Sequence, residues 1–135
     1  MEGYNKEEYV SFDTAKMLKI LGFKWETEYC YCGEYEYNVE FNTTISVYEE
    51  AYDGNVYPCP TQAVAMRWLR EVENYHIYVM LSDEDIPSYN VAWDHFFGTM
   101  IKTTNIVGTF PTYEEAAEAG IKEVLNKLMK ENNDA

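Results

Sequence analysis

From Trp25 to Phe41 the chain alternates for seventeen residues: every odd position except Gly33 is Trp, Thr, Tyr, Val or Phe, while the even positions read Glu26, Glu28, Cys30, Cys32, Glu34, Glu36, Asn38 and Glu40. A period of two is the mark of β-structure with one face in a core and the other in water. Here the wet face is almost purely acidic. Seventeen residues is too long for one typical strand, so a turn at Cys32-Gly33 is predicted. Because the aromatic parity survives that turn, its loop should hold an odd number of residues. Tyr31-Cys32-Gly33 fits, with Gly33 in the left-handed conformation such loops want. This register pairs Tyr29 with Tyr35 and Thr27 with Tyr37 on the inner face. On the outer face it sets Glu28 opposite Glu36, a like-charge pair that stability alone would not select.

The acidity is uneven. The formal charge is -14, yet between Lys24 and Arg67 there is no Lys or Arg at all, and a second base-free stretch runs from Arg70 to Lys102. Both stretches are where strands are predicted. Most of the basic residues, Lys16, Lys19, Arg67, Arg70, Lys122, Lys127 and Lys130, fall in three predicted helices. Such a field repels nucleic acid and anionic membrane and attracts basic proteins.

A chain of 135 residues with no Pro/Gly/Ser-rich linker and no internal repeat is expected to form a single domain over residues 1–135. The start, MEGYNKEEYV, has neither the basic nor the apolar region of a signal peptide, and the longest apolar run, near Ile77 to Leu81, is far too short for a membrane helix. A cytoplasmic location is expected. Three cysteines, Cys30, Cys32 and Cys59, suit a reducing compartment and are predicted to be free thiols. With His76 and His95 they lack the paired spacing of a zinc site, and Cys59 lacks the orienting partners of a nucleophile, so no metal and no cofactor are expected.

Along the chain, Ser11 is the expected N-cap of a helix over Phe12 to Leu21 that stops at Gly22. After the alternating stretch, Thr44 to Tyr48 reads as a short strand and Asp53-Gly54 as a turn. Pro60 should open a second helix at its first turn, with Val64, Trp68, Leu69 and Val72 as its core stripe. His76 to Leu81 and Tyr89 to Phe97 read as two strands, followed by an irregular one over Met100 to Val107. His95 is expected to be a packed strand histidine. Thr112-Tyr113-Glu114-Glu115 is a capping box opening a helix through about Met129, and Gly120 inside that helix implies close approach to the sheet. The fold class is α+β: a mainly antiparallel sheet of four to five strands with three helices packed on one face.

Three phrases carry a resemblance: TAKMLKILGF, PTQAVAMRWLREVENYHIYV and FPTYEEAAEAGIKEVLNKL. In that order they resemble a family of small uncharacterised proteins from phages and mobile elements of gut anaerobic bacteria. The resemblance spans most of the chain and implies a genomic context and a one-domain α+β fold, with no site residues to carry over.

For function, the sequence points first to a non-enzymatic accessory protein that binds a protein partner, basic in character, through an acidic, Tyr-rich sheet surface. Its candidate contacts are Glu26, Glu28, Glu36, Glu40, Tyr48, Tyr52 and Tyr57. Nine of the thirteen tyrosines precede residue 60, and tyrosine offers large contact area at low entropic cost. A second reading is an acidic mimic of nucleic acid that inhibits a nucleic-acid-binding defence protein of a host or rival. A third is a small hydrolase with an unrecognised acid pair. No phosphate loop, dinucleotide fingerprint, nucleophile elbow or zincin motif is present, and Asp94 and His95, adjacent in a strand, point to opposite faces. Neither nucleic acid nor membrane is an expected direct partner, and homo-oligomerisation stays open.

Overall fold

Ser11 opens the first helix, α1 (Phe12–Ile20), by accepting a hydrogen bond from the Thr14 N–H at 3.3 Å. The helix ends as its sequence predicts. Gly22 takes φ +97°, its N–H bonds Lys19 O at 3.1 Å, and the Phe23 N–H reaches back to Leu18 O at 2.9 Å. This Schellman close needs the left-handed conformation that glycine adopts without penalty, and it delivers Phe23 into the core.

The structure, a computed structural model, describes residues 8–33, 37–40, 54–83, 87–104 and 106–134. Within them the chain is α+β, with three helices and seven strands whose pairings are all antiparallel. The strands form two sheets rather than one of four to five, and the chain gathers into two compact units, residues 1–61 and 62–135, each with its own sheet.

In the first unit β1 (Tyr29–Cys32) is the central strand, between β2 (Tyr37–Glu40) and β3 (Val56–Cys59). The register differs from the one the alternation predicts: Tyr29 stands opposite Glu40, Tyr31 opposite Asn38 and Cys32 opposite Tyr37. Odd positions of β1 therefore stand opposite even positions of β2, so parity flips between the two strands. The reason lies on the other side of β1, where Cys32 pairs with Val56 and the Gly33 N–H bonds Asn55 O at 2.8 Å. Committed to β3, the strand stays extended through Cys32 instead of turning at Tyr31. Gly33 does adopt the expected left-handed conformation, φ 79°, but as the first residue after β1.

Helix α1 packs on β3, and the rings around its start meet the odd-numbered face of β1 and β3. Phe12 lies edge-on to Tyr31 and Tyr57 at 5.3 and 5.6 Å, and Tyr9 edge-on to Tyr29 at 5.1 Å. Lys19, at the last turn of α1, donates to Gly54 O and Val56 O at 2.7 and 2.8 Å and so ties the helix to the start of β3.

The second unit begins with α2 (Gln62–Val72), two residues later than Pro60 suggests. Pro60 O is engaged by the Val10 N–H at 3.0 Å and Thr61 bridges Tyr9, so these residues belong to the first unit. The helix buries Gln62, Ala65, Trp68 and Leu69, while Val72, expected in the core, is exposed. Asn74 follows it in the left-handed conformation, φ 62°, the position where asparagine substitutes for glycine. Strands β4 (Tyr75–Leu81) and β5 (Tyr89–Phe97) lie within a residue of the predicted limits, and β4 pairs along its full length with Tyr89 to His95 of β5.

On the other side of β5 lie β6 (Met100–Thr103), which falls within the irregular strand expected over Met100 to Val107, and β7 (Gly108–Phe110), which lies just beyond it. Thr112 caps the last helix, α3 (Tyr113–Asp134), accepting from the Glu115 N–H at 3.1 Å. This helix outruns its expected end at Met129. No Gly or Pro stops it, and Lys127 and Glu131, four residues apart, hold its last turns at 3.7 Å. Gln62, buried, donates to Glu114 O and Glu118 Oε1 at 2.9 and 3.1 Å, fastening α2 to α3.

Candidate functional site

The alternation of β4 and β5 sorts their side chains onto two faces. Tyr75, Ile77, Val91 and Trp93 are buried toward α3, where Trp93 Nε1 donates to Glu123 Oε2 at 2.7 Å and the Lys127 ammonium lies 5.7 Å from the Trp93 ring centre. The residues between them turn the other way. On that side Tyr78 is 39% exposed and Met80 37%, and β6 adds Ile101 at 57%. His76 packs edge-on to Phe96 at 4.5 Å, and the Tyr78 hydroxyl donates to Asp94 Oδ1 at 3.3 Å. The result is an open sheet face of aromatic and aliphatic groups with the polar Asn90, Thr103 and Thr109, one carboxylate, Asp94, and, among the described strand residues, no Lys or Arg, since Lys102 pairs with His95 and so faces the opposite side. Two short strands on one edge and a helix on the far face hold these groups on a rigid platform. Such a platform can bury apolar area against another macromolecule and pair one cation with Asp94.

The residues that sequence reasoning offered as contacts are placed differently. Glu26 and Glu28 are exposed, but they precede β1, and neither lies within a strand. Glu40 is in β2, where its register partner is Tyr29 rather than another carboxylate. Glu36, Tyr48 and Tyr52 lie outside the described residues, as does the predicted strand over 44–48. Tyr57 is half-buried and engaged within its own unit, between the Phe12 ring and the Lys19 ammonium, which sits 5.1 Å from its ring centre. The expected Glu28–Glu36 pairing lies in part outside the described residues, and the register of β1 with β2 is not the one that would make it. Tyr78, Met80 and Ile101 were missed. The signal available for them is that β4, YHIYVML, carries apolar residues at both parities, more than an outer strand with one wet face needs.

The even-numbered face of β1 is dry at its centre. Cys30 and Cys32 are buried together with Val56, and their Sγ atoms are 3.2 Å apart. Cys59 is buried as well, its thiol 3.6 Å from Val10 O, and all three cysteines are free. Burial, and then the hydrogen bond shared with Cys32, push the Cys30 thiol far above its usual range. Such thiols are inert. In the native protein none of the three should react with a disulfide reagent on the timescale of an exposed thiol, and all three should react once the chain is unfolded. Rapid native labelling of any of them would show that these strands open readily.

His95 stacks flat on Tyr75, ring centres 3.9 Å apart and planes 3° from parallel, and burial lowers its pKa. It is a packed strand histidine, as expected, and it lies on the face opposite Asp94, so the adjacent pair forms no dyad. Among the described residues no group of three or more His, Cys, Asp or Glu could hold a metal ion, and no helix is long and apolar enough to cross a membrane. The chain matches no protein-family model, no curated protein and no solved structure.

Proposed function

We propose that this is a non-enzymatic accessory protein, of phage or mobile-element type and cytoplasmic, that binds a basic protein partner through its exposed sheet surface. The observation that carries this reading is the open face of the second sheet, where Tyr78, Met80 and Ile101 stand in water around a single carboxylate. Exposed aromatic and long aliphatic groups held on a rigid sheet serve as contact area, and a chain of net charge -14 steers toward cationic surfaces. The three free thiols favour a reducing compartment.

Capture of the partner from host lysate, followed by titration with the purified partner, tests the proposal. Ile101→Asp should keep the fold, because the residue is exposed, and should abolish binding. Glu26→Gln with Glu28→Gln should slow association, by a factor that shrinks as salt is raised. A partner that binds the Ile101→Asp variant as tightly as the parent would remove the open face from the interface.

A further inference from the structure

The two edges of the second sheet are built differently. On one side β6 and β7 are four and three residues long, Lys102 stands in the outer strand, and the register shifts by two residues between Asp94↔Thr103 and Val91↔Gly108. Short strands, a bulge and a lysine are the devices that keep a natural edge from pairing with another chain. The edge at β4 has none of them. From Tyr75 to Leu81 it runs in unbroken register with β5, contains no Pro, Gly, Lys, Arg, Asp or Glu, and has no described strand on its outer side.

Hydrogen bonds at the two ends of β4 show which backbone groups face outward. The Phe96 N–H donates to Asn74 O at 3.0 Å and the Ser82 N–H to Ser88 O at 2.8 Å, so even-numbered residues turn their amides and carbonyls toward β5. Ile77, Val79 and Leu81 turn theirs away.

We propose that this edge is a self-association surface, on which two copies of the chain pair antiparallel through β4 about a twofold axis at Tyr78. That register makes hydrogen-bonded pairs of Ile77 with Val79 of the second copy, using the outward groups on both sides, while Tyr75, fully buried, offers no outward group to the pairing. Tyr78 meets its own counterpart at the axis, and His76 meets Met80. A second copy fits this edge because the strand is self-complementary. Apolar and aromatic residues face one another, and over the paired length no carboxylate meets another, although each chain carries -14. The pairing also closes: it consumes both open edges and leaves only the blunted ones outside. It concerns the edge of the sheet and stands whether or not the open face takes the partner proposed above.

Light scattering over a concentration series tests it, together with amide hydrogen exchange. The mass should rise toward twice the 15.8 kDa of the chain. Association should tighten with added salt, because two like-charged molecules then repel less. Amides of Ile77 and Val79 should become protected as concentration rises, while that of Tyr78, bonded to β5, is protected throughout. Val79→Pro removes an outward donor and leaves the β4–β5 ladder intact, and Tyr78→Lys sets two ammonium groups against each other at the axis. Both variants should be monomeric and still unfold cooperatively. A single-chain mass at every concentration would overturn the proposal, as would a dimer that both variants leave intact. Concentration-independent protection of Ile77 and Val79 would place another segment of the same chain on the edge instead. Tight binding of a basic extended peptide by a chain that does not self-associate would assign the edge to that ligand.

Discussion

Gly120→Ala should destabilise the protein by about 1–2 kcal/mol, even though alanine is the better helix former by about 1 kcal/mol. A Cβ at this position would lie 2.6 Å from Val91 Cγ2 and 3.0 Å from Ile77 Cγ2, closer than packed carbons approach. Val91 is fully buried and, being β-branched, has little rotamer freedom with which to retreat, so the helix must lift or the strand must shift. Gly120→Val enlarges the same clash and should raise the loss above about 3 kcal/mol. Urea unfolding followed by circular dichroism measures both. Val91→Ala in the Gly120→Ala background makes room for the new methyl, and the pair should show a favourable coupling in a double-mutant cycle. A Gly120→Ala variant as stable as the parent would mean that helix and sheet do not approach this closely.

Tyr75→Ala should remove about 3–5 kcal/mol, whereas Tyr75→Phe should remove about 1 kcal/mol or less. The ring is fully buried, edge-on to Trp93 at 5.4 Å and stacked on His95 at 3.9 Å, so its deletion leaves a cavity that neither neighbour can fill without losing its own packing. The hydroxyl makes only a long contact, 3.5 Å, with Glu131 Oε1. Burial first, and then the Glu131 carboxylate, push the phenol up to about 12 from an ordinary value of 10.0. The folded state thus holds this proton more tightly than the unfolded chain does. Its contribution is complete below pH 10.0 and is lost as the pH rises toward 12. Tyr75→Phe should flatten the fall in stability over that window, and a variant with an unchanged alkaline slope would show that Tyr75 does not titrate in this way.

The contrast between these residues and the acidic alternation shows what a single sequence can carry. Gly120 was legible because a glycine inside a strong helical pattern is disfavoured unless something comes close. His95 was legible because its neighbours at period two are apolar. The alternation from Trp25 to Phe41 also told the truth about β-structure, yet it misled about register and exposure. Two of its even positions, Cys30 and Cys32, interrupt the run of glutamates, and these are the residues that the central strand buries. Of the candidate contacts whose side chains are described, Glu26 and Glu28 are exposed as expected and Tyr57 is half-buried. The open face emerged from β4 and β5, whose limits were predicted but whose vacant side was not.

What this sequence determined by itself is local: the Ser11 and Thr112 caps, the Gly22 stop, the limits of β4 and β5, and the α+β class. Each depends on groups within a few residues of one another, where backbone geometry leaves few alternatives. The tertiary structure alone decided which strands lie side by side. It placed β1 between two neighbours, which moved the turn and flipped the parity, and it divided the strands between two sheets. It also left β4 at an edge with Tyr78 and Met80 in water. A period of two states that a strand has two faces, but what covers each face is settled by segments distant in sequence, through contacts that no local pattern encodes.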